Sequence, residues 1–147
     1  MGNEPCEETP WVYDFAGAPW RAQEVVRRIQ NELFTSSPNG FPGNDDAGSL
    51  SSWYVFSALG LFPEIPGVAG FAVGSPLFPK ATIRLENGKT IEILGKNATP
   101  ENFYVQTLKL NGRDFANAWI DWSALDDGAN LDFNLGSQPS HWAKSPQ

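Results

Sequence analysis

The stretch Gly43-Asn44-Asp45-Asp46-Ala47-Gly48-Ser49-Leu50-Ser51-Ser52-Trp53-Tyr54-Val55-Phe56-Ser57-Ala58-Leu59-Gly60 decides how this chain is read. Leu50, Trp53, Tyr54, Val55, Phe56, Ala58 and Leu59 are apolar on almost every side of a helix, and Gly60 supplies a stop. The predicted helix spans about 46–60. At its start stand an amide and two adjacent carboxylates. A helix that is apolar all round is surrounded by other elements. One partner helix and a small sheet are too few to surround it. The first part of the chain therefore reads as a piece of a larger helical assembly.

Working outward, a short helical piece is expected around Trp11–Phe15, stopping at Gly17. Pro19 suits the first turn of a second helix, spanning about 19–34. There Trp20, Val25, Ile29 and Leu33 recur at helical spacing, while Arg21, Glu24, Arg27, Arg28 and Glu32 form a wet face. Pro63, Pro66 and Gly67 end the helical character. Short runs with β character follow: Phe71–Val73, Ala81–Leu85, Thr90–Leu94, Tyr104–Leu110 and Leu131–Leu135. Asn87-Gly88 and Asn111-Gly112 are hairpin turn signals. Helices first and strands later indicate an α+β chain, divided at residues 1–62 and 63–147. Asn97-Ala98-Thr99 is a glycosylation sequon whose use Pro100 disfavours.

Composition narrows the function. The net charge is -7 with only ten Lys and Arg, so the basic footprint of a nucleic-acid binder is missing. No apolar run approaches the ~20 residues of a membrane span. The polar start Met1-Gly2-Asn3-Glu4-Pro5 shows no targeting segment. Cys6 and His141 are the sole residues of their types, which removes an intrachain disulfide and a Cys- or His-rich zinc site. A bound metal would be held by oxygen, pointing to calcium or magnesium. Six tryptophans are many for this length; they serve cores and also stack on sugar rings.

The acidic turn has two readings. Asp45 or Asp46 caps the helix, worth ~1 kcal/mol, and favours the positive end of its dipole. Against capping alone, one cap needs one carboxylate, and Gly43 and Gly48 let backbone approach a ligand. A second polar cluster, Gly2-Asn3-Glu4-Pro5, precedes the first helical piece. In a barrel of antiparallel helix pairs, equivalent loops lie at one end, which would bring Glu4 towards Asp46.

Gly2-Asn3-Glu4-Pro5, Phe15-Ala16-Gly17-Ala18-Pro19-Trp20, Gly43-Asn44-Asp45-Asp46-Ala47-Gly48, Ser51-Ser52-Trp53-Tyr54-Val55-Phe56-Ser57-Ala58-Leu59-Gly60 and Gly74-Ser75-Pro76-Leu77-Phe78 follow one another in this order. Together they resemble the C-terminal part of glycoside hydrolase family 92, calcium-dependent exo-acting α-mannosidases, over essentially the whole chain. Leu110-Asn111-Gly112, Leu131–Leu135 and Trp142 resemble the family's tail. The resemblance implies the last helices of an (α/α)6 barrel followed by a small C-terminal antiparallel β region. It implies inverting hydrolysis of terminal α-mannosidic bonds, with an acid and a base ~6.5–9.5 Å apart.

Carried over by motif, Asp46 is the general base. Asn44 stands where many relatives have a second aspartate, and as an amide it can only hydrogen-bond. Asp45 caps or orients. Asn3 and Glu4 are candidate sugar contacts, and Glu4 and Asp46 candidate calcium ligands. Cys6-Glu7-Glu8-Thr9 departs from the family, where histidines are frequent, and Glu7 and Glu8 read as loop surface. The family's general acid is a glutamate upstream of this chain, so the isolated chain is expected to be inactive. Expected partners are mannose-containing glycans and the remainder of the barrel, as upstream sequence or a partner chain; nucleic acid and membrane are not expected. The family implies a secreted or extracytoplasmic location. The alternative function is a non-catalytic carbohydrate-binding or interaction remnant.

Overall fold

The computed structural model describes residues 2–143 of the 147. Among these, three helices come first: α1 (Val12–Phe15), α2 (Pro19–Leu33) and α3 (Ser49–Leu59). Eight strands follow: β1 (Leu61–Phe62), β2 (Gly70–Val73), β3 (Lys80–Arg84), β4 (Thr90–Leu94), β5 (Tyr104–Leu110), β6 (Arg113–Phe115), β7 (Trp119–Asp121) and β8 (Ala129–Gly136). The α+β order matches the sequence reading. Strands β1, β6 and β7 were not expected; at two or three residues they carry no readable period.

The strands form two sheets, β1-β2-β7 and β3-β4-β8-β5-β6. The smaller sheet is a middle layer. Successive residues of a strand point to opposite faces. Leu61 and its partner Val73 accordingly join the core shared with the larger sheet, among Ile91, Ile93, Val105, Leu108, Leu131, Phe133 and Leu135. Phe62 and its partner Ala72 instead join Trp11, Val26 and Trp53 under the helices. Trp11 stacks on Phe62 at 5.4 Å, and Phe34 stacks on Trp53 at 5.8 Å. Each fully buried large side chain of these two cores contributes about 1.5–3 kcal/mol.

The β region is not wholly antiparallel, contrary to expectation. Strand β8 inserts between β4 and β5 and runs parallel to β4, with Ile91 opposite Ala129 and Ile93 opposite Leu131. Local turns impose antiparallel pairing only on neighbours, such as β3–β4 and β5–β6. Strand β8 is reached from β4 only after β5, β6 and β7, and that long path is free of the constraint. Asn111 and Gly112 both adopt positive φ between β5 and β6, the turn that their sequence predicts. The sequon residue Asn97 uses its amide structurally: Oδ1 accepts from Leu135 N at 3.1 Å and Nδ2 donates to Leu135 O.

Helix α2 packs differently from its sequence pattern. Its buried face is Ala22, Gln23, Val26, Arg27 and Gln30, whereas Val25 and Ile29 are half-buried and Leu33 is exposed. Arg27, placed on the wet face by sequence, is 4% exposed. The reason is main-chain recognition. Gln23 Oε1 accepts from Val105 N at 2.9 Å, and Arg27 Nη2 donates to Pro76 O at 2.9 Å. Four residues apart, these two side chains fasten one stripe of the helix to the β region. Among the described residues Arg27 makes no ion pair, and burial lowers its pKa to about 10.

Candidate functional site

Helix α3 starts at Ser49, three residues later than expected, because Asp46, Ala47 and Gly48 all have left-handed backbone (φ 43°, 59° and 100°). For the two L-residues this conformation costs about 1–3 kcal/mol each and needs surrounding structure to hold it. The holding group is Asp45. Its carboxylate accepts from Ser51 N at 2.8 Å and from Ser51 Oγ at 2.9 Å, and its carbonyl accepts from Leu50 N at 3.3 Å. Asp45 is thus the capping group that sequence left open between two aspartates. Asp46 and Asn44 are exposed, and their side chains have no hydrogen-bond or ion-pair partner among the described residues. A free, hydrated carboxylate accepts hydrogen bonds only and can take a proton from water.

The second turn lies against the first. Asn3 Oδ1 accepts from Glu4 N at 3.0 Å and caps a short 3-10 turn over Glu4–Cys6. A Cβ built on Gly43 would stand 2.1 Å from Gly2 O, so only glycine permits this main-chain approach. Glu7 completes the junction: its Oε1 accepts from Ser49 Oγ at 2.6 Å and its carbonyl from Trp53 Nε1 at 3.0 Å. The turns bearing Asn3, Glu4, Asn44 and Asp46 therefore meet at the head of α3. Glu7 is no bare loop surface, and its sequence gave no signal of this bond.

Beside the junction runs an open groove of about 680 Å³, lined by Cys6, Glu8, Thr9, Pro10, Val12, Tyr13, Ala16, Val25 and Ile29. Val12 is 53% exposed and Val55, on α3, 57% exposed. The apolar stripe predicted for α2 thus supplies one wall of an uncovered face.

Sequence also missed a buried acidic pair. Asp14 is 3% exposed and neither carboxyl oxygen has a hydrogen-bond partner among the described residues; Glu64 is 7% exposed with Oε2 unpartnered. Burial and the nearby Glu64 hold the Asp14 carboxyl well above the usual carboxylate range. Burial and Glu8 push Glu64 up to about 8. At neutral pH Glu64 favours the protonated form.

A model of the "Glycosyl hydrolase family 92 catalytic domain" matches residues 1–137. The chain belongs to glycosyl hydrolase family 92. The family GH92 alpha-mannosidase BT3965 from Bacteroides thetaiotaomicron superposes with a TM-score of 0.93 at 34% identity, over 98% of this chain and 20% of that one. The GH92 inverting mannosidase BT2199 from Bacteroides thetaiotaomicron VPI-5482 gives a TM-score of 0.93 at 33% identity, over 99% and 20%. An "Uncharacterized secreted glycosidase" from Arthroderma benhamiae is 32% identical over 145 residues, which are 97% of this chain and 19% of that protein. The chain spans about a fifth of the length of these family 92 relatives. A further structure of BT3965 is a complex with mannoimidazole.

The family 92 residues present here offer oxygen donors, the class that suits calcium. Their number is short: among the described residues no group of three or more His, Cys, Asp or Glu is gathered closely enough to hold a metal ion. Calcium takes about 6–8 oxygen ligands, so these residues do not fit a complete calcium cage by themselves. No described helix is long and apolar enough to cross a membrane.

Proposed function

We propose that this chain supplies the base-bearing part of an inverting, calcium-dependent exo-α-mannosidase that removes terminal α-mannose from glycans. The observation that carries the proposal is the junction at the head of α3, where two turns meet main chain to main chain and leave the Asp46 carboxylate free. In this reading Asp46 takes a proton from the attacking water, while a general acid outside this chain protonates the leaving oxygen. Asn44, Asn3 and Glu4 hydrogen-bond the sugar. Glu4 and Asp46 also lend two oxygen ligands to calcium, the rest coming from elsewhere in the enzyme. When bound, calcium would hold vicinal sugar hydroxyls and favour ring distortion.

Residues 1–62 are, in this proposal, the last helices of an (α/α)6 barrel, and residues 63–147 a β subdomain packed beneath them. The uncovered apolar surface of Val12, Val25 and Ile29 along the groove, and that of Val55 on α3, support this, because they are surface that further barrel helices would bury. The described secreted relative supports a secreted or extracytoplasmic location. The test is hydrolysis of a terminal α-mannoside by the isolated chain. No rate above background is expected. A clear rate that disappears in Asp46→Ala would show that the site is complete without the rest of a barrel.

A further inference from the structure

We propose that Glu7 is a positioning residue, which through Ser49 and Trp53 fixes the spacing between the Asn3–Glu4 turn and the Asn44–Asp46 turn. This rests on reading those turns as the sugar site. Glu7 touches three residues of two elements, the Glu4 turn and α3. Its N–H donates to Glu4 O at 3.0 Å and closes the first turn. Its carboxylate accepts from Ser49 Oγ at 2.6 Å, within the ~2.5–2.7 Å of a charge-assisted O–H···O⁻ bond. Its carbonyl accepts from the indole of Trp53, a side chain only 1% exposed and locked between Phe34 and the core.

Ser49 in turn donates its N–H to Asp46 O at 3.4 Å. A continuous path therefore runs from Glu4 through Glu7 and Ser49 to Asp46. The path matters because the Asp46 turn holds left-handed L-residues, which relax unless both flanks are fixed. Asp45 fixes the downstream flank through Ser51, and Glu7 ties the helix head to the opposing turn. Glu7 itself need not touch the sugar; it acts on where Glu4 and Asp46 stand.

The test uses the assembled enzyme with Glu7→Ala, Glu7→Gln, Ser49→Ala and the double variant Glu7→Ala/Ser49→Ala, measuring kcat and KM on a terminal α-mannoside. Misplacing a reacting group costs up to about 100-fold, so Glu7→Ala is expected to lower kcat about 10- to 100-fold with KM within about threefold. Glu7→Gln keeps an acceptor for Ser49 Oγ and should recover to within about threefold, and the double variant should be no worse than Glu7→Ala. The milder Ser49→Ala guards against a folding defect in the Glu7 variants.

On the 147-residue chain, exchange of the Trp53 indole proton by NMR should quicken in Glu7→Ala and not in Glu7→Gln. Activity of Glu7→Ala within about twofold of the parent, or multiplicative single effects in the double variant, overturns the proposal. Asp46→Asn run in parallel separates the two ideas. If it destroys activity while the Glu7 variants do not, only the positioning role falls. If it leaves activity intact, the site reading falls and the role of Glu7 with it.

Discussion

The Asp45 carboxylate accepts both the main-chain N–H and the hydroxyl of Ser51, which frees the neighbouring Asp46 from any capping duty. Two adjacent carboxylates at one helix head thus divide their work: one holds the turn, the other faces water. Asp45→Ala should destabilise the chain by about 1–2 kcal/mol, the range for loss of a helix cap. Chemical denaturation of the two proteins measures this. A change below about 0.3 kcal/mol would mean that the strained turn is held by something else.

Gly43 carries the approach of the two turns. Gly43→Ala places a methyl group 2.1 Å from Gly2 O, against main chain that cannot swing aside. The expected cost is about 1–3 kcal/mol, as for overpacking. In the assembled enzyme, activity should fall with it. A thermal melt matching the parent's would show that the turns part freely.

The buried pair of Asp14 and Glu64 gives a pH dependence whose sign is fixed. Glu64 has its pKa raised from 4.5 in the unfolded chain to about 8 when folded, by burial and by Glu8. A raised folded pKa stabilises fully below the unfolded value and loses that contribution as pH rises through the folded one. Asp14 adds to the same trend in the same direction. The melting temperature of the chain should therefore drop between about pH 4.5 and pH 8. Glu64→Gln, neutral at every pH, should flatten the upper part of that slope. An unchanged slope would place the titrating group elsewhere.

The uncovered face predicts self-association of the isolated chain. Val12, more than half exposed, lines the groove with Val25 and Ile29, and Val55 is more than half exposed on α3. Sedimentation should show concentration-dependent oligomers, reduced in the double variant Ile29→Lys/Val55→Lys. A monomer at all concentrations would show that this face does not seek cover.

Much of this was legible in sequence, and the failures share a cause. Helices α2 and α3, strands β4 and β5 and the Asn111-Gly112 turn follow from local period and turn chemistry, and each lies within a few residues of its prediction. The parallel pairing of β4 with β8 is set by packing between distant segments, which no local window contains. The burial of Arg27 was hidden for a related reason: a guanidinium looks like surface until main-chain carbonyls, here Pro76 O, are placed beside it. Asp14 and Glu64 were missed likewise, since nothing in a short apolar context marks which carboxyl will be covered.

For the site, motif order singled out Asp46, and an amide or carboxylate cluster before a helix was enough to find the turn. The bond from Ser49 to Glu7 spans 42 positions and depends on a fold in which two loops share one end. Distance along the chain hides such a contact from any pattern.

Hydrolysis of a terminal α-mannoside by the assembled enzyme, parent against Asp46→Asn, tests the proposed base most directly. The substitution keeps size and tolerates left-handed backbone, and the exposed position predicts stability within about 0.5 kcal/mol of the parent. With Asp46 as base, kcat should fall at least about 100-fold, as expected for loss of general base catalysis. A kcat within a few-fold of the parent, in a protein of unchanged melting temperature, would contradict the assignment.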